Sequence, residues 1–145
     1  MKKNSVITIT NQKGGVGKTT LTASLGIAIA ETGKKVVLVD ADIGLNNLDV
    51  VLAVENKVVY DVLDVISGKC RLKQALIQDV DNPTLYVLPS AKIQDSPLIT
   101  ACSFRNVVDA LALNFDFVII DCPAGIDNGF HRAVSAATEA IVVTT

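Results

Sequence analysis

Lys13-Gly14-Gly15-Val16-Gly17-Lys18-Thr19-Thr20 follows the short apolar run Val6 to Ile9 and opens an apolar-periodic stretch from Leu21 to Ala30. The context reads strand, loop, helix. Gly14, Gly15 and Gly17 permit positive φ and put no Cβ in the way, so successive amides can converge on an anion. The helix that follows adds unpaired N–H groups and the positive end of its dipole. Lys18 can then reach the β- and γ-phosphates of a nucleotide and the Thr19 hydroxyl can ligate Mg²⁺, so Lys13 to Thr20 read as the nucleotide-binding residues of a P-loop. A strict search for G-x-x-x-x-G-K-[ST] misses the stretch, because Gln12 stands where the first glycine belongs. In its place is Lys-Gly-Gly-x-Gly-Lys-Thr, with an additional lysine, Lys13, ahead of the glycines. The plainer alternative is a glycine-rich strand-to-helix turn beside a solvated lysine.

The whole chain bounds the reading. Its 145 residues suit one domain that buries roughly 68–70% of its unfolded surface. Half the residues are apolar and only 19% are charged, as expected of a parallel sheet covered on both faces. No apolar run is long enough for a spanning helix, and Lys2-Lys3 leads into Asn4-Ser5 and a β-like run, so neither a signal peptide nor an anchor is expected. A net charge of −2 without lysine or arginine clusters argues against a nucleic-acid partner. Cys70, Cys102 and Cys122 show no C-x-x-C spacing and read as free thiols in a reducing cytoplasm, with a cluster ligand the alternative. His131 is the single histidine, which leaves histidine-based catalysis without support.

Four further strands and several helices follow from pattern. The stretch from Lys18 to Thr32 carries apolar residues at helical spacing and stops at Gly33. Val36-Val37-Leu38-Val39 is an unbroken apolar run, β-branched but for Leu38, closed by Asp40-Ala41-Asp42, and residues two apart project to one face of a strand. Both aspartates then stand at the carboxyl edge of the sheet, where ligands bind in open α/β folds. One would support a magnesium shell and the other orient a water; the alternative is that they cap the next turn. Ile43 to Ala53 suggests a loop merging into a short helix. Helices are expected over Val59 to Ile66 and Leu72 to Leu76, a turn over Asp79 to Pro83, and a strand over Leu85 to Leu88. Ser96-Pro97 predicts the start of a helix with Ala101, Phe104, Val108 and Leu111 as its apolar stripe. Phe117 to Asp121 forms four apolar residues closed by a carboxylate, the pattern of a Walker B strand whose Asp121 holds Mg²⁺ directly or through water. Pro123 and Gly125 sit in a segment placed to sense a γ-phosphate. Phe130 to Glu139 reads as a small-residue helix and Ala140 to Thr145 as the last strand. The fold class is α/β: a three-layer α/β/α P-loop NTPase with a mostly parallel sheet of about five strands.

With these residues in place the chain resembles the deviant Walker A ATPases, the MinD/ParA class, over its whole length. The narrower signal for the MinD branch lies in Asp42-Ile43-Gly44-Leu45, Asn47-Leu48-Asp49, Val59-Tyr60-Asp61, Leu85-Tyr86-Val87-Leu88-Pro89 and Pro123-Ala124-Gly125-Ile126. Asn11-Gln12 is closer to ParA proteins, and Asn46 and Cys122 stand where MinD proteins often carry Arg and Ser or Thr. The resemblance implies that Lys13 acts across an ATP-sandwiched homodimer and that Lys18 and Thr19 serve as P-loop lysine and magnesium hydroxyl. It also implies Asp42 as the residue positioning the attacking water, Asp40 and Asp121 near the metal, and Asn47 in the first switch. Lys13, Lys18 and Asp42 would be the catalytic residues, with ATP and Mg²⁺ as cofactors.

A strand order of third-second-fourth-first-fifth follows by the same analogy. So does the function: an ATPase switch that places the division site by recruiting MinC- and MinE-like regulators, cytoplasmic and peripheral at the inner membrane. Residues 1–145 would form a single ATPase domain truncated at its C-terminal end, the membrane contact being made by a further amphipathic helix. A ParA-type partition ATPase, an iron–sulfur carrier of the same fold and a non-hydrolysing nucleotide-binding fragment are the alternatives.

Overall fold

The computed structural model describes residues 5–11, 18–41, 48, 52, 54–90, 100–121 and 139–143. The elements are β1 (Ser5–Asn11), α1 (Lys18–Glu31), β2 (Val36–Asp40), α2 (Val62–Ile66), α3 (Leu72–Ala75), β3 (Ile77–Gln78), β4 (Leu85–Leu88), α4 (Ala101–Asn114), β5 (Phe117–Asp121) and β6 (Glu139–Val143). They build one sheet in the order β3-β4-β2-β5-β1-β6. Its five longer strands are parallel and follow the expected third-second-fourth-first-fifth order. The addition is β3, antiparallel to β4 through Ile77 opposite Val87 and Gln78 opposite Tyr86. A strand of two residues has no periodicity to read, so only its partner reveals it.

Both faces of the sheet are covered, which is why all five residues of β2 are buried. Val36 and Leu38 face α1 with Ile7, Ile9, Ala30 and Ile119. Val37 and Val39 face the other way, into Val118, Ile120, Phe104, Leu111 and Phe115 beneath α2 to α4. The result is three layers. Phe104, Val108 and Leu111 are fully buried along one side of α4, each contributing about 1.5–3 kcal/mol by leaving water. α1 lies close over β2 because Gly26 has no side chain: a Cβ there would stand 2.7 Å from Leu38 Cδ2. The helix ends at Glu31, and two residues on the chain turns through Gly33, whose φ of 89° a residue with a Cβ adopts only under strain.

Three boundaries differ from expectation, each for a local reason. The helix expected from Val59 starts at Val62, because Asp61 accepts from the Asp64 amide while Asp64 accepts from the Asp61 amide. This reciprocal cap leaves Val59 outside, 77% exposed. α4 starts at Ala101 rather than at Ser96-Pro97, because Thr100 is extended at φ −108° and its hydroxyl caps the Ser103 amide; residues 91–99 lie outside the described residues. Glu139 begins β6 instead of ending a helix, pairing with Ile7; a chain docked on β1 is held by ladder bonds that helical pattern alone does not anticipate.

Candidate functional site

The site forms where β2 and β5 end and α1 begins. Parity along the strands decides its direction. Asp40 falls on the face of Val36 and Leu38, and Asp121 on the face of Phe117 and Ile119, so both carboxylates lie on the α1 side of the sheet. They are in register, Asp40 directly opposite Asp121, and both are fully buried. A parallel pair in adjacent strands is spaced about 4.8 Å between backbones. Two acidic side chains are therefore held side by side at the carboxyl edge.

α1 brings the third group. The Thr19 hydroxyl donates to Asp121 Oδ2 at 2.8 Å, joining the first turn of the helix to the end of β5. Asp40 Oδ2 accepts from the backbone amide of Leu48 at 3.3 Å, and the Ala41 amide donates to the Asp121 carbonyl at 3.0 Å. These bonds tie β2, β5, α1 and the chain after residue 47 to one point. Leu48 is itself fully buried on the α1 side of the sheet and its carbonyl accepts from the Leu52 amide at 3.0 Å; the rest of the short helix expected between Ile43 and Ala53 lies outside the described residues.

The donor set suits a small hard cation. A hydroxyl and two carboxylates offer oxygen only, and Mg²⁺ takes one or two protein ligands together with phosphate oxygens and waters. Such a site needs no cluster of three acidic, His or Cys ligands, and none occurs among the described residues. Thr19, Asp40 and Asp121 are the residues that could hold it. They sit beside the N-terminus of a 14-residue helix, whose free amides and positive dipole end favour an anion.

Of the residues singled out in the sequence, the fold joins Thr19, Asp40 and Asp121, with Lys18 as the first residue of α1. Thr20 follows and is exposed. Lys13, Gly14, Gly15, Val16, Gly17, Asp42, Asn47, Pro123 and Gly125 lie outside the described residues. One group was missed in the sequence. The Leu48 amide binds Asp40 through its backbone, which no side-chain pattern announces.

Comparison with known proteins follows the same residues. An AAA domain family model matches residues 4–145. The septum site-determining protein MinD of Bacillus subtilis is 52% identical over 140 residues, covering 96% of this chain and 52% of the relative. Among solved structures, MinD in the MinC:MinD cell division complex of Aquifex aeolicus superposes with a TM-score of 0.85 at 46% identity, covering 95% of this chain and 55% of that one. MinD of Pyrococcus horikoshii, complexed with Mg-ADP, superposes with a TM-score of 0.87 at 36% identity, covering 97% of this chain and 58% of that one. The chain thus spans about half the length of the relatives it matches. It belongs to the AAA-domain family, within the deviant Walker A class of P-loop ATPases, and resembles the septum site-determining MinD proteins over nearly all of its 145 residues.

Proposed function

We propose that this chain binds ATP with Mg²⁺ and serves as the nucleotide half of a MinD-like switch. In this switch ATP drives homodimerisation and slow hydrolysis reverses it. The observation that carries the reading is the bond from the Thr19 hydroxyl to Asp121 Oδ2, 102 residues apart in sequence, with Asp40 in register beside it. Phosphoryl transfer asks a protein mainly for position and charge. The loop amides from Gly14 to Thr19 would hold the phosphate oxygens, and Lys18 would reach the β- and γ-phosphates from the start of α1. Thr19 and Asp121 would hold the cation, with Asp40 supporting its waters. A Mg²⁺ ion held by these residues would supply positive charge against the charge that phosphoryl transfer develops. Asp42, two residues past the end of β2, would orient the attacking water, and Lys13 would add positive charge from a partner protomer. Asn47, Pro123 and Gly125 would move with the γ-phosphate.

By the same reading the dimer recruits a MinC-like partner, as the Aquifex MinD is complexed with MinC, together with a MinE-like regulator, to place the division site at the inner membrane. No helix among the described residues is long and apolar enough to cross a membrane. The test is nucleotide binding and phosphate release with Mg·ATP. Lys18→Ala is expected to abolish binding, and Lys13→Ala to bind nucleotide but lose hydrolysis. Turnover by either variant equal to that of the unaltered chain overturns the proposal, and binding without turnover in the unaltered chain marks a non-hydrolysing nucleotide module instead.

A further inference from the structure

A cavity opens at the other end of the sheet. Lys35 immediately precedes β2 and Phe115 lies two residues before β5, so the cavity borders the amino ends of strands whose carboxyl ends carry Asp40 and Asp121. Five residues at about 3.3 Å each put roughly 16 Å between the two ends. The cavity holds about 340 Å³, within the range of small-molecule sites. Its floor is apolar and continuous with the core: Leu111 and Phe115 are buried, and Leu72 and Leu76 of the α3 segment close one side.

The charged groups that line it among the described residues carry one sign, beside the neutral amides of Gln78 and Asn114. Lys35 and Lys73 both line it, and no carboxylate does among the described residues. Neither ammonium has a carboxylate partner among those residues. The Lys35 ammonium instead rests 4.8 Å from the centre of the Phe115 ring and 5.8 Å from that of Tyr86. The two rings meet edge to face at 5.4 Å. The backbone beneath is fixed: the Lys35 carbonyl accepts from the Asp116 and Phe117 amides at 2.8 and 3.2 Å, and the Lys35 amide donates to Asp116 Oδ2 at 2.9 Å. That carboxylate is therefore engaged with main chain. A lysine held over two rings, a second lysine lining the same apolar hollow and no carboxylate among the described lining residues together make a receptor for one chemistry, an apolar body ending in a negative charge.

We propose that this cavity is a binding site for a small amphiphilic carboxylate, an aryl- or medium-chain alkyl acid. Its apolar part fills the space against Leu72, Leu76 and Leu111, and its carboxylate pairs with Lys35 and Lys73. The site is separate from the nucleotide site and does not depend on the ATPase reading. The test is an amide NMR titration of the full chain with 4-phenylbutyrate, paired with the neutral 4-phenylbutan-1-ol. Saturable shifts are expected at Leu72, Leu76, Leu111 and Phe115 and not at Thr19 or Asp121, with the acid bound more tightly than the alcohol. Lys35→Met and Lys73→Met should each weaken the acid by about threefold to fivefold, the worth of one partly exposed ion pair, and leave the alcohol unchanged. Lys73 lies on an exposed helix position, so its variant carries the test if loss of the Lys35 ring contact disturbs the fold. Equal binding of acid and alcohol, shifts outside the cavity, no saturable shift, or unaltered binding in both variants overturns the proposal.

Discussion

Replacing Thr19 with valine removes one hydroxyl and keeps the shape of the side chain, so its cost isolates the bond to Asp121. That bond is 2.8 Å long and its acceptor is fully buried. A hydrogen bond to a charged group contributes about 1.5–3 kcal/mol. Two features of the site favour the lower end. Thr19 is itself half-buried, which lets water reach part of the vacated volume, and Asp121 makes a further interaction besides this one. Helix propensity barely separates Thr from Val. The expected loss is therefore about 1.5 kcal/mol, and at about 4 °C per kcal/mol for a domain of this size the Tm should fall by about 6 °C. The assay is thermal unfolding followed by circular dichroism without nucleotide, on Thr19→Val, Asp121→Asn and the double variant. The two single losses should fail to add, with a coupling of about 1 kcal/mol, because one bond is removed twice. An unchanged Tm in Thr19→Val, or strict additivity, refutes the link between α1 and β5. Adding Mg·ADP at about a hundred times its Kd should raise the unaltered chain by about 2.7 kcal/mol and Thr19→Val by far less, which tests the cation role separately.

Gly26→Ala sets two effects against each other: about 1 kcal/mol of helix propensity is gained, while a new methyl 2.7 Å from the fully buried Leu38 costs about 1–3 kcal/mol in overpacking. Packing should win and the Tm should drop by a few degrees; a rise would show that α1 moves off β2 freely. Thr100→Ala deletes the hydroxyl cap on Ser103 and should cost about 1 kcal/mol in urea unfolding, whereas no change would place the helix start elsewhere. Cys70 has its thiol pushed above the ordinary 9.0, by burial first and then by the carboxylates of Asp64 and Asp61. At mildly alkaline pH it should alkylate slowly, and Asp64→Asn, which removes a negative charge and lowers the pKa, should speed the labelling. Labelling that slows or stays constant in Asp64→Asn contradicts that electrostatic account.

Much of the fold was legible because its information is local. Glycines between a β-branched run and a helical period identify a strand-loop-helix unit within residues 5–31, and Val36 to Asp40 and Phe117 to Asp121 declare themselves as buried strands closed by acids. The helix starts were less legible, since Thr100 and Asp61 compete with nearby proline and valine signals and only realised amide bonds decide between them. Sequence alone thus determined which residue types could meet phosphate and cation. Only the tertiary structure decided that Asp40 stands opposite Asp121, that the Thr19 hydroxyl reaches across 102 residues to close on it, and that Lys35 lies over Phe115 at the opposite end. The physical reason is that register between parallel strands is set by crossover helices packing on both faces, a contest of whole surfaces to which no short stretch holds the answer.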